Sequence, residues 1–212
     1  MKSTPSKYSN LSIRFLWLLP ACLTFILQSI KREQRNITMK IVAFGASTSS
    51  TSINKTLATY AAQQVEGAQV NVLDLNNYNV PMFSEDKEKE IGQAEGAIAF
   101  LRELEQADAI VVSFAEHNGS YAAAYKNLFD WATRIERNVF QNKPVVYLAT
   151  SPGPGGAQSV LAAATGSAPF FGADVKASVS VPSFYENFDL ESGEIVNQEI
   201  AEQVKQAVAL LK

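Results

Sequence analysis

MKIVAFGASTSSTSIN, Met39 to Asn54, begins as an apolar run and ends in a hydroxyl-rich segment. The four residues IVAF read as a buried strand. Ser52, followed by Ile53, Leu57, Tyr60, Ala61 and Val65 on one face, reads as a capped helix. Between them, Gly45 to Asn54 carries six hydroxyl side chains in ten residues. That composition suits a flexible linker as well as an anion cradle. A linker, however, does not sit between a core strand and its crossover helix. The free N–H groups and positive dipole end of the helix N-terminus read instead as a phosphate site, with Ser and Thr hydroxyls as further donors.

The rest of the chain repeats the same alternation. Ile41–Phe44, Val70–Leu75, Ala109–Phe114, Pro144–Thr150 and Val175–Val181 read as strands, and the third and fourth are nearly continuous apolar runs. Such runs belong to strands covered on both faces. Helical patterns fall over 52–67, with Gly67 as its C-terminal cap, and over 92–106, where Ala94, Ala97, Ile98, Leu101 and Leu104 share a face. Tyr121, Tyr125, Leu128, Ala132 and Ile135 continue the pattern, followed by 157–165 and 200–211. The expectation is an α/β fold: a flavodoxin-like, doubly wound, five-stranded parallel sheet of order 2-1-3-4-5 with helices on both faces.

Charge and rare residues narrow the function classes. The net charge of -3 conceals six basic residues and one acid within 1–38, which leaves 39–212 with 12 basic and 20 acidic residues, a balance of -8. An acidic domain repels nucleic acid and anionic membrane surfaces. The single cysteine, Cys22, lies outside 39–212, which excludes disulfides, zinc–thiolate sites and a cysteine nucleophile there. One histidine, His117, excludes a multi-histidine metal site, and no metal is expected.

Residues 1–38 read as an N-terminal extension. Its apolar run Phe15–Leu27 is interrupted by Pro20, is short for a spanning helix, and has no small-residue cleavage site after it. It reads as a signal or anchor, or as a non-native start preceding a working protein that begins at Met39. The Met39 start implies a cytoplasmic domain of residues 39–212; the other readings imply a membrane-associated or exported one.

In a sheet of this order, ligands bind beyond the strand ends, in the loops after strands one, three and four. Those loops are GASTSSTSIN, AEHNGSY and SPGPGGAQS. GxxxxGK[ST], GxGxxG and GxSxG are all absent. Phe44-Gly45 and Ser113-Phe114 stand where a response regulator needs acids. The second loop, continuing into KNLFDW, resembles the NADPH-dependent FMN reductase family. That family carries P-E-[YF]-N-x-[ST] and then K-N-x-x-D-W, matched here by Glu116, Asn118, Gly119, Ser120, Lys126, Asn127, Asp130 and Trp131. Ser47, Ser52, Asn54 and Leu57 match the family's first loop. Ser151, Pro152, Gly153, Gly155 and Gly156 match its third, and PMFSED (Pro81–Asp86) its loop after strand two.

The resemblance spans essentially all of 39–212 and implies bound FMN with NADPH or NADH as hydride donor. It implies that Ser47, Ser49, Ser52, Ile53 and Asn54 surround the FMN phosphate, with Ser47, Ser52 and Asn54 as side-chain donors. Ala115, Glu116, His117, Asn118 and Gly119 would lie along the isoalloxazine, and Ser151 and Gly153 beside it. The flavin carries the chemistry, so no catalytic acid or base is nominated. A quinone, flavin, azo compound or metal oxyanion would be the acceptor, and the protein a homodimer or homotetramer. The alternatives are a flavodoxin-like electron carrier without NAD(P)H oxidation, and an FMN-binding regulatory module. Three departures stand out: Ser49 replaces the family's arginine, His117 its tyrosine or phenylalanine, and Ala115 its proline. His117 is either a charge that favours anionic reduced flavin or a plain aromatic substitute. Trp131 reads as helix-to-sheet packing, and Lys126 with Asp130 as a surface pair.

Overall fold

A computed structural model describes residues 38–212 of the chain. The readings of the extension fall on residues outside these. Five parallel strands form the central sheet: β1 (Lys40–Ala46), β2 (Gln69–Leu73), β3 (Ala109–Phe114), β6 (Lys143–Thr150) and β7 (Ala173–Val181). Their order is β2-β1-β3-β6-β7, the expected arrangement once two added hairpins are counted. Those hairpins are β4 (Glu116–His117) with β5 (Ser120–Tyr121), and β8 (Phe188–Asp189) with β9 (Glu194–Ile195).

The helices are α1 (Ile53–Gln63), α2 (Glu85–Ile91), α3 (Glu95–Gln106), α4 (Ala123–Ile135), α5 (Gln158–Ser167), α6 (Phe184–Asn187) and α7 (Gln198–Ala209). Successive strand residues point to opposite faces, so β1 feeds two cores. Val42 and Phe44 pack with Phe100, Trp131 and Tyr147 on one side. Ile41 and Ala43 pack with Leu57, Leu148 and Val204 on the other. Both faces are therefore apolar, which explains the continuous burial of β3 and of the second half of β6. Among the described residues, no helix is long and apolar enough to cross a membrane.

Three local readings change. Gly67 does not cap α1: Gln64 does, and Gly67 sits at φ +74 in the turn before β2. Charged α2 precedes α3, capped by the Ser84 hydroxyl, which accepts from the Lys87 N–H at 3.0 Å. Tyr121 belongs to a hairpin, because Asn118 (φ 53) and Gly119 (φ 77) form the left-handed pair that a tight two-residue turn needs.

One glycine sets the geometry that matters for the site. A Cβ at Gly45 would lie 2.3 Å from the Lys55 backbone nitrogen and 2.8 Å from the Asn54 carbonyl carbon. Only glycine lets the first turn of α1 close onto the end of β1.

Candidate functional site

The loop 47–52 joins β1 to α1, and its backbone is folded by its own polar atoms. The Ser47 N–H donates to the Gly45 carbonyl at 2.8 Å, and the Ser49 N–H to Ser47 Oγ at 3.1 Å. Ser52 caps α1, its Oγ accepting from the Lys55 N–H at 3.1 Å. The N–H groups of Thr48, Ser50, Thr51, Ile53 and Asn54 find no protein acceptor among the described residues. Unpaired donors at a helix N-terminus, with the positive dipole end behind them, have the chemistry to receive an anion. Ser49 is exposed, its Oγ 3.4 Å from Thr51 Oγ1.

Asn54 differs from the role expected of its side chain as a phosphate donor. It is only 3% exposed and faces the sheet. Its Nδ2 donates to the Thr150 carbonyl at 3.1 Å, while its Oδ1 accepts from the Thr150 N–H at 3.1 Å and the Ser113 hydroxyl at 2.7 Å. The amide thus ties the start of α1 to the ends of β3 and β6, where the other two loops begin. What Asn54 leaves for an anion is its backbone N–H.

A second brace comes from the segment after β2. Asn76 Nδ2 donates to the Thr48 carbonyl at 3.0 Å and to Asp74 Oδ1 at 2.8 Å. Lys55 Nζ lies 2.6 Å from Asp74 Oδ2. The Lys55 hydrogen bond, helped by the Asn76 backbone and side-chain donors, lowers the Asp74 carboxyl to about 2. Sequence reasoning missed Asp74, Asn76, Ser113 and Thr150. The legible signal was a polar residue at or near the end of each of two apolar strands.

The second loop is the β4–β5 hairpin. Ala115 is buried, while His117, Asn118 and Gly119 stand exposed at its tip. Glu116 turns the other way: its Oε2 accepts from the Val160 N–H at 2.8 Å. Val160 lies in the first turn of α5, whose cap residue Ala157 has no side-chain oxygen to offer, so a carboxylate from 44 residues away serves that helix end.

In the third loop, Ser151 Oγ donates to the Gly153 carbonyl at 3.1 Å. A Cβ at Gly153 or Gly155 would meet nothing within 4 Å. Gly156 is the constrained one, at φ +58 with a Cβ that would lie 2.2 Å from Ser180 Oγ. The motif on α4 also resolves. Asn127 Oδ1 accepts from the Phe83 N–H at 2.8 Å, and Trp131 Nε1 donates to the Pro81 carbonyl at 2.7 Å. Both hold the loop after β2, so Trp131 packs against that loop as well as the core. Lys126 and Asp130 pair at 2.6 Å on the helix surface, as expected.

Comparison with known proteins bears on the family and the fold. The family model described as NADPH-dependent FMN reductase matches residues 39–186. An NADPH:quinone oxidoreductase of Arabidopsis thaliana is 30% identical over 57% of this chain and 62% of its own length. An NAD(P)H-dependent FMN reductase of Pseudomonas aeruginosa is 28% identical over 54% of this chain and 61% of its own. The chain thus spans about six tenths of each of these two relatives. Among solved structures, the flavoenzyme NAD(P)H:(acceptor) oxidoreductase FerB of Paracoccus denitrificans superimposes with a TM-score of 0.68 at 22% identity. That match covers 82% of this chain and 96% of FerB, a likeness of fold.

Proposed function

The chain belongs to the NADPH-dependent FMN reductase family, and from that premise we propose that it is an NAD(P)H-dependent oxidoreductase with FMN as resident cofactor. The observation that carries the reading is the cradle of unpaired N–H groups over 48–54, fastened by Asn54 to the strand ends that bear the other two loops.

The residues present fit the group. Backbone N–H groups of Thr48, Ser50, Thr51, Ile53 and Asn54, with the hydroxyls of Ser47, Ser49 and Ser52, would hold the phosphate. The backbone of Ala115 to Gly119 would meet the polar edge of the flavin, with His117 beside the ring. Ser151 and Gly153 would face it from the third loop, where the absence of a side chain leaves room for a flat ligand. When bound, FMN supplies the redox chemistry, taking a hydride from NADPH or NADH and passing electrons to a quinone, flavin, azo compound or metal oxyanion. The protein positions and shields; no side chain is assigned as acid or base. Residues 39–212 act as the reductase domain, as a homodimer or homotetramer in the cytoplasm.

Anaerobic stopped-flow mixing of the FMN-loaded protein with NADPH, then NADH, tests the reading. Bleaching of the flavin band at a catalytic rate with either nucleotide is expected. Bound FMN that bleaches with neither would leave an electron carrier instead.

A further inference from the structure

Below the strand ends, between α4, α5 and β6, lies a cavity of about 280 Å³. Its wall is aromatic: Phe114 and Tyr147 meet edge to face at 5.0 Å, and Phe129 and Phe171 at 4.9 Å. Two of the rings that line it, Tyr125 (3% exposed) and Tyr147 (1% exposed), are among the most buried in the protein. Among the described residues neither hydroxyl has a protein acceptor within hydrogen-bond distance, yet no side-chain oxygen there that is sealed from solvent lacks a partner. Both hydroxyls therefore reach the space that their rings line.

Burial pushes both phenols up, so each is a neutral donor throughout the physiological range. Phenol O–H groups that open onto a cavity and have no protein acceptor among the described residues stay free to donate to an acceptor brought into it. The charges at this site, Lys126 and Asp130, neutralise each other at the rim. A charged ligand would lose its hydration there without a free counter-charge to meet it.

We propose that this cavity is a binding site, separate from the strand-end crevice, for a small neutral aromatic molecule of one or two rings bearing carbonyl-type acceptors. The volume lies just below the usual range for ligand pockets, roughly 300–1,000 Å³, which limits the occupant to that size. Its aromatic faces would pack against Phe114 and Phe129, and its acceptor oxygens would take the Tyr125 and Tyr147 protons. Occupancy bears on the crevice as well. Phe114 directly precedes the 115–119 loop, and Tyr121, 5.8 Å from Phe114, closes the β4–β5 hairpin; both line the cavity.

Calorimetric titration of coumarin, a redox-inert bicyclic lactone, into the FMN-loaded protein tests this. One site per chain is expected. Tyr147→Phe keeps the ring and removes the donor, and should weaken coumarin about five-fold, the worth of one net hydrogen bond. Ala164→Phe fills the cavity from α5 and should abolish binding. No binding to the unaltered protein overturns the proposal, as does coumarin affinity that Tyr147→Phe leaves unchanged, which would place the ligand over the flavin.

Discussion

Asn54 and Thr150 lie 96 residues apart and pair as two amides do, each donating to and accepting from the other at 3.1 Å. With the Ser113 hydroxyl on the same Oδ1, this pair clamps the first turn of α1 between the ends of β3 and β6. The loop before α1 and the loops after β3 and β6 are thereby held to one another through a single buried side chain.

Replacing Asn54 with alanine leaves the Thr150 N–H and carbonyl and the Ser113 hydroxyl in a dry setting without partners. Unsatisfied buried groups cost about 1–3 kcal/mol each, partly relieved by water entry, so Asn54→Ala should lose about 3 kcal/mol. Denaturant unfolding gives the number, and FMN affinity should fall in parallel. A variant within about 0.5 kcal/mol of the parent would remove the clamp.

Gly45→Ala forces the α1 N-terminus away from β1, since the new methyl would meet the Lys55 nitrogen at 2.3 Å. Overpacking against backbone should cost about 2–3 kcal/mol. The cradle moves with the helix, so FMN should be retained poorly on gel filtration. Full retention would show that the approach of helix to strand is not needed.

For Glu116, alanine and glutamine should differ. Glu116→Ala strips the Val160 N–H of its acceptor and α5 of its N-terminal charge, at a cost of about 1 kcal/mol. Glu116→Gln keeps an acceptor oxygen and should recover at least half of that. Equal effects from the two, measured by thermal unfolding, would place the importance of Glu116 elsewhere.

Asp74 gives the acid side of the stability profile. Its folded value of about 2 lies below an unfolded carboxyl near ~3.9, so the native state favours the charged form. That contribution is complete above about pH 4 and is lost as pH falls through about 2. The pair with Lys55 is about a third exposed, so solvent screening keeps the effect under about 1 kcal/mol. The stability difference between parent and Asp74→Asn should be constant at neutral pH and shrink toward zero across that window. A difference that does not change with pH would refute the assignment.

By the resemblance of its first loop to the family's pattern, Ser49 stands in the place of an arginine. Ser49→Arg adds a cation beside the cradle, and an exposed charge of that kind should tighten FMN about 2- to 5-fold, with a steeper salt dependence. Fluorescence quenching of free FMN at two ionic strengths measures both. If neither changes, residue 49 does not face the phosphate.

The order of the five main strands, the three loops at their ends and the helix after the first loop were legible in the sequence. Hydropathic period and capping residues depend only on neighbours a few positions away. Asn118-Gly119 was an equally local hairpin signal, though it sits inside a stretch whose aromatic spacing mimics a helix. The partners of Asn54, of Glu116 and of the Trp131 indole could not be read in the same way. Each joins groups 44 to 96 residues apart, and which groups meet depends on strand register and on how closely Gly45 lets α1 approach. The sequence by itself therefore determined a flavodoxin-like sheet with a hydroxyl-rich loop between its first strand and first helix. Only the tertiary structure decided that Asn54 is the clamp of that loop and that Tyr125 and Tyr147 face a cavity, because buried hydrogen bonds and voids arise from packing between elements.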